Sequence, residues 1–126
     1  MVMSSTYFMG FASIFLPSFP KMFLEIARKN IPVSIIITPN VFFKVKNEHG
    51  AEIEEFVKYR HTSFHVYDNA KVSFAVTDSF LSLSIFFKNG TFDTRNDLVG
   101  FDSYSIKWGE DLFKHYKENS IEIKSL

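Results

Sequence analysis

The histidine, carboxylate, lysine and serine side chains are the groups in this sequence that could carry chemistry, and their spacing argues against most of it. The histidines are His49, His61, His65 and His115. His61 and His65 stand four apart, a spacing that could hold a metal from one face of a helix. Here the surrounding residues read as the entry to a strand, and no His-Glu-x-x-His context is present. No metal site is expected. His65 is read as a strand residue with an ordinary hydrogen bond, and His115 as a solvent-facing residue of a C-terminal helix. Cysteine is absent, which excludes disulfide scaffolds, Cys-ligated zinc, iron–sulfur clusters and thiol nucleophiles. The glycines, at 10, 50, 90, 100 and 109, form neither a dinucleotide-binding nor a phosphate-binding loop. No serine sits in a Gly-x-Ser-x-Gly elbow.

What remains is a small set of polar side chains near strand ends and helix starts: Ser18, Thr38, Lys71, Asp78 and Arg95. These are the candidate ligand-binding residues. Each also has a plainer reading as a cap or turn residue, because hydroxyls and Asp carboxylates satisfy exposed amides at such places. Arg95 belongs to Phe-Asp-Thr-Arg-Asn-Asp at 92–97, read either as a solvated turn or as a charged rim near a pocket or dimer contact.

The elements that must position these residues follow from length and patterning. The chain has 126 residues, enough for one domain with a sizeable core. Lys plus Arg equals Asp plus Glu at 14 each, so the chain lacks the basic excess that holds nucleic acid by charge. Sixteen residues are Phe, which fits either a biased codon pool or an aromatic pocket or dimer face. The apolar run at 7–16 has no preceding Lys or Arg and is too short to span a bilayer; it reads as a first strand at Tyr7–Phe15. A helix at Phe19–Lys29 follows Ser18, with Pro20 in its first turn and Asn30 and Pro32 at its end. Val33–Ile37 is a β-branched run suited to a strand covered on both faces. Thr38-Pro39 opens a helical region to Tyr59, broken at Gly50.

The second half alternates instead. Ser63–Tyr67 is a short strand. Val72–Thr77 and Leu81–Phe87 put Val72, Phe74 and Val76 on one face, with Ser73, Ala75 and Thr77 on the other, and read as an antiparallel hairpin. Asn89-Gly90 signals a turn, Leu98–Phe101 a further short strand, and Asp102 or Ser103 caps a helix at Tyr104–Lys117 with a Glu110–Lys114 pair. The fold class is therefore mixed α/β, a single mixed sheet flanked by helices. The whole chain, 1–126, is one domain: a disordered or tag-like start at 1–6, the folded part at 7–120 and a tail at 121–126.

Residues 72–88, VSFAVTDSFLSLSIFFK, run into NGTFDTRNDLVGFD and then WGEDLFKHYKENS, with LPSFPKMFLEIARKNIPVSIIIT and HVYDN upstream. This succession resembles the effector (middle) domain of archaeal winged-helix transcriptional regulators of the methanogenesis-regulator family. The resemblance implies a cytoplasmic regulator domain, a homodimer, an unknown small-molecule effector and DNA contact only through a separate winged helix, which this chain does not contain. It implies no cofactor and no membrane. It also implies a fold similar to one half of the phospholipase D fold, as in effector domains of archaeal sugar regulators of the TrmB type. That enzyme fold needs His-x-Lys-x-x-x-x-Asp. Setting its Asp on Asp78 puts Ser73 where Lys belongs and Lys71 where His belongs, so no catalysis is expected. The expected function is a non-enzymatic ligand-sensing and dimerisation domain. The alternatives are a structural protein–protein interaction module without ligand and, third, a degenerate phosphodiesterase.

Overall fold

The structure is a computed structural model that describes residues 6–86 and 92–125, with side chains between 85 and 97 outside the description. Its elements run β1 (Phe8–Ala12), α1 (Phe19–Arg28), β2 (Val33–Ile37), α2 (Pro39–Glu48), α3 (Gly50–Lys58), β3 (Thr62–Val66), β4 (Ser73–Thr77), β5 (Leu81–Phe86), β6 (Phe92–Gly100), α4 (Ser103–Glu118) and β7 (Ile121–Glu122). The strands form one sheet in the order β6-β5-β4-β1-β2-β3-β7. β1, β2 and β3 are parallel, joined through helices, while β4, β5, β6 and β7 each pair antiparallel with a neighbour. The mixed sheet expected from the patterning is the one found.

The central parallel strand, β2, is short and β-branched because both of its faces are covered. α1, α2 and α3 lie on one face. Val33, Ile35, Ile37 and Phe64 point to them and pack with Leu24, Ile26, Val41 and Phe56. α4 lies on the other face, where Phe11, Ile36, Phe74, Val76, Leu81 and Phe113 form a second core. The expected alternation of the hairpin holds: Phe74 and Val76 belong to the α4 side and Ala75 to the other. α1 ends at Asn30, whose φ of 62° is the left-handed conformation that asparagine tolerates. Arg28 reaches across from α1 to α3, donating to Glu55 at 2.8 and 2.7 Å, while the Tyr59 hydroxyl donates to the same carboxylate at 2.8 Å. The Arg28 guanidinium and then the Tyr59 hydroxyl hold the Glu55 carboxyl down to about 2.

Several local expectations need correction. Residues 92–97 are not a turn; they open a nine-residue edge strand, β6, paired to β5 across a register shift at Ser84/Phe86. The tail contains β7, whose Ile121 and Glu122 pair with Val66 and His65. Ser18 and Thr38 occupy N-cap positions without bonding an amide through their hydroxyls. Glu110 does not depend on Lys114; it accepts from the Tyr7 hydroxyl, and the i,i+4 pair of α4 is Lys107–Asp111 at 2.6 Å. Asp102 does cap α4, accepting from the Ser105 amide at 3.2 Å and hydroxyl at 2.6 Å, which holds its carboxyl below the usual range. The Asn89-Gly90 turn and the start at 1–5 lie outside the described residues.

Candidate functional site

A cavity of about 240 Å³ opens on the α1 side of the sheet, over β1, β4 and β5. Sheet register explains it. Gly10 stands opposite Ala75, Ala75 opposite Ser82, and Ser73 opposite Ser84, so adjacent ladder rows carry only small side chains. α1 rises from one side with Phe19, Met22 and Phe23, and Phe8 and Phe80 complete the walls. At Gly10 a Cβ would stand 2.9 Å from the Phe8 ring and 3.3 Å from Ile35, so glycine keeps the β1 floor at backbone level.

The polar atoms of the cleft are few. The Ser73 hydroxyl accepts from the Ser13 amide at 3.1 Å, and Ser13 donates its own hydroxyl to the Val72 carbonyl at 2.7 Å. That pair locks the start of β4 to the loop after β1. Among the described residues the Ser82 and Ser84 hydroxyls have no protein partner, and no charged side chain lines the cavity. An aromatic-walled cleft with two unused hydroxyls suits an uncharged, mostly apolar molecule bearing one or two oxygens.

A second hollow, a broad groove of about 800 Å³, lies on the opposite face between α4 and β1–β3. Met9, Ser34 and His65 form its floor, and α4 supplies charged rim residues. His65 departs from expectation. It is 6% exposed, and neither ring nitrogen has a hydrogen-bond partner. Burial, reinforced by Lys117 and opposed by Glu122, pushes its imidazole pKa down. His65 is therefore neutral when folded, whereas the unfolded chain takes up a proton as pH falls below about 6.5. Stability is complete above that value and is lost as pH drops toward the depressed folded pKa, by at most about 1.4 kcal/mol per pH unit for one proton. Urea unfolding midpoints measured between about pH 7 and 5 should fall in the wild type and fall less steeply in His65→Leu. Equal slopes would show that His65 does not set the acid response.

Of the five candidate residues, the four whose side chains are described do not converge. Ser18 is exposed ahead of α1. Thr38 is 3% exposed and donates to Asn40 Oδ1 at 2.5 Å. Lys71 is exposed just before β4, on the same sheet end as Ser18 and Thr38. Asp78 lies at the other end of β4, roughly 20 Å away along extended chain, where it accepts from the Thr6 amide at 3.3 Å and hydroxyl at 2.9 Å. The amides of Ser79 and Phe80 at that turn go to the Thr77 hydroxyl instead. Arg95 is in the edge strand β6, its side chain outside the description. None of the four whose side chains are described lines the cleft. Its floor residues, Gly10, Ala75, Ser82 and Ser84, are the ones the sequence reading passed over, although the alternation in 72–84 already placed Ser73 and Ala75 on one face. Among the described residues no cluster of metal-ligating side chains occurs, and no helix is long and apolar enough to cross a membrane.

The fold is that of the phospholipase D class. The chain superposes on a phospholipase D family member, Nuc from Salmonella typhimurium, with a TM-score of 0.56 at 15% identity, over 98% of this chain and 86% of that one. It superposes more closely on TrmBL2, described as an archaeal chromatin protein with a novel mode of DNA binding: TM-score 0.76, 11% identity, 97% of this chain and 47% of that one. The family is narrower than the fold. Residues 1–119 match the middle domain of the methanogenesis regulatory protein FilR1, and the chain belongs to that family. A curated relative, the methanogenesis regulatory protein FilR1 of Methanothrix harundinacea (strain 6Ac), is 22% identical over 111 residues, 85% of this chain. The chain spans about a quarter (25%) of that relative's length. A regulatory role, as the middle domain of a methanogenesis-type transcriptional regulator, is thereby supported.

Proposed function

We propose that this chain is the non-enzymatic ligand-sensing and dimerisation domain of a transcriptional regulator, with DNA contacted by a separate winged-helix domain. The observation that carries the reading is the cleft over β1, β4 and β5, lined among the described residues by no charged side chain, with its floor of Gly10, Ala75, Ser82 and Ser84. A compact core is close-packed with few voids, so small side chains aligned on neighbouring strands beneath aromatic walls form a built hollow. A ligand there touches α1 on one side and the β4–β5 hairpin on the other. It favours whichever spacing of these elements grips it best, and that differential affinity is what a sensor transmits.

The absence of catalysis rests on the residues that would perform it. A phospholipase D centre would need an imidazole and an ammonium at Lys71 and Ser73. Lys71 is exposed ahead of the strand, and Ser73 is buried and held by Ser13. The reading is tested by native mass spectrometry of freshly purified protein. The expected spectrum shows a dimer with one small neutral molecule per chain. Bare chains that also fail to gain thermal stability from phenol or cyclohexanol, two neutral probes of the cleft, would favour an interaction module without ligand.

A further inference from the structure

α4 has two flanks of opposite character. One carries Lys107, Glu110, Asp111, Lys114 and Lys117, every residue charged. The other carries Tyr104, Trp108, Leu112 and His115, spaced so that they share a side of the helix. Contacts fix the direction of each flank. Glu110 reaches Tyr7 ahead of β1, while a Cβ at Gly109 would meet Val76 of β4 and Leu81 of β5. The aromatic flank thus lies toward β5 and β6. Among the described residues β6 is the edge of the sheet, with β5 as its one neighbour. At its end Leu98 is 59% exposed and Val99 51%, followed by Phe101 at 65%, Tyr104 at 86% and Trp108 at 51%.

We infer that this surface, the end of β6 together with the Tyr104–Trp108 flank of α4, is an interface with a second copy of the chain. Full aromatic side chains bury about 150–250 Å² each. Val99 pairs with Ser82 and faces the other side of the sheet, so the four residues on the α4 side, Leu98, Phe101, Tyr104 and Trp108, offer about 400–500 Å² at these exposures, within the range of the largest patch a monomer leaves bare. With the open edge of β6 added, this approaches the roughly 800 Å² per partner of a standard interface. A two-fold interface brings a patch against itself, so a charged patch repels its copy and a neutral one does not. Among the described side chains, the end of β6 and the aromatic flank carry one charge, that of Asp102, whose carboxylate is turned onto Ser105. The unpaired backbone groups of an edge strand are also satisfied by another edge strand.

This inference deepens the dimer part of the proposed function and rests on it; it is independent of the ligand. Light scattering on the eluting wild type should give twice the 14.6 kDa chain mass. Trp108→Lys and Leu98→Lys should each halve it, with unchanged far-UV circular dichroism. Lys114→Glu, on the charged flank, should leave it doubled. Trp108 is the sole tryptophan, so the emission of the unmutated protein should shift to the red on dilution, a readout that needs no variant to fold. A monomeric wild type with concentration-independent emission overturns both the dimer and its face. A dimer that survives both substitutions, with invariant emission, overturns this face and leaves dimerisation standing.

Discussion

Phe113→Ala should lower the stability of this domain by about 3–5 kcal/mol, a large part of the roughly 5–15 kcal/mol that holds a domain together. Phe113 is 2% exposed and joins α4 to the sheet. Its ring stands edge-on to Phe74 at 6.4 Å and 84°, and Phe74 in turn stacks on Phe11 at 5.6 Å and 7°. Tyr116, one turn further along α4, lies 4.6 Å from Phe11 and 4.8 Å from Tyr67. Removing the Phe113 ring loses its burial and leaves a hole, because strand-borne neighbours cannot follow it inward. The helix cannot settle closer either: Gly109 already lets the α4 backbone sit where a Cβ would be 2.6 Å from Val76. Urea unfolding followed by circular dichroism measures the loss as a drop in midpoint at unchanged slope. Phe43→Ala is the matched control. Its ring is 68% exposed, so its removal should change stability by no more than about 0.5 kcal/mol. A Phe113 variant losing as little as the control would mean that α4 does not close the second core.

Much of this architecture could be read locally, and the exceptions share a cause. Val33–Ile37 is a strand in any context where both faces are covered, and its run of β-branched residues says so directly. Asp102 marks the start of α4 because a carboxylate before an amphipathic stretch has free amides to satisfy. The hairpin faces were legible because strand alternation has a period of two. β6 was misread because 92–97 is polar, and polarity marks a turn only when no neighbouring strand claims the backbone. Here β5 claims it, and charged residues are common on edge strands. β7 spans two residues and shows no period; its existence depends on the β3 edge waiting for it. His65 has the same origin. Alternation places it on the α4 face, but only the fold brings Lys117 and Glu122 around it and removes the hydrogen bond a strand histidine usually finds. The cleft was hidden for the strongest version of this reason. Gly10 and Ala75 are 65 residues apart in sequence, and nothing in either segment announces that they are ladder partners.

Ala75→Leu separates a ligand site from a mere hollow, because the two make opposite demands on the same side chain. Ala75 sits mid-floor, between Gly10 and Ser82, in the cavity of about 240 Å³. A leucine there projects into empty space toward Phe19, Met22 and Phe23. Filling an apolar void of this kind stabilises a domain by about 0.5–2 kcal/mol. The variant stripped of small molecules should therefore melt a few degrees above the wild type. The bound state moves the other way. A ligand at 100 times its dissociation constant stabilises the wild type by about 2.7 kcal/mol, and a leucine occupying its volume removes that gain. Ser82→Ala gives the complementary result: the void remains, one hydroxyl is gone, and binding weakens by about 0.5–1.5 kcal/mol, the net worth of a neutral hydrogen bond. Thermal melts of all three proteins, with and without the co-purifying molecule or phenol, read both effects at once. If leucine raises the melting temperature and the ligand-induced shift survives, the ligand binds elsewhere, and the groove beneath α4 is the place to look. If leucine destabilises, the floor is tighter than its small residues imply, and the sensor reading loses the observation that carries it.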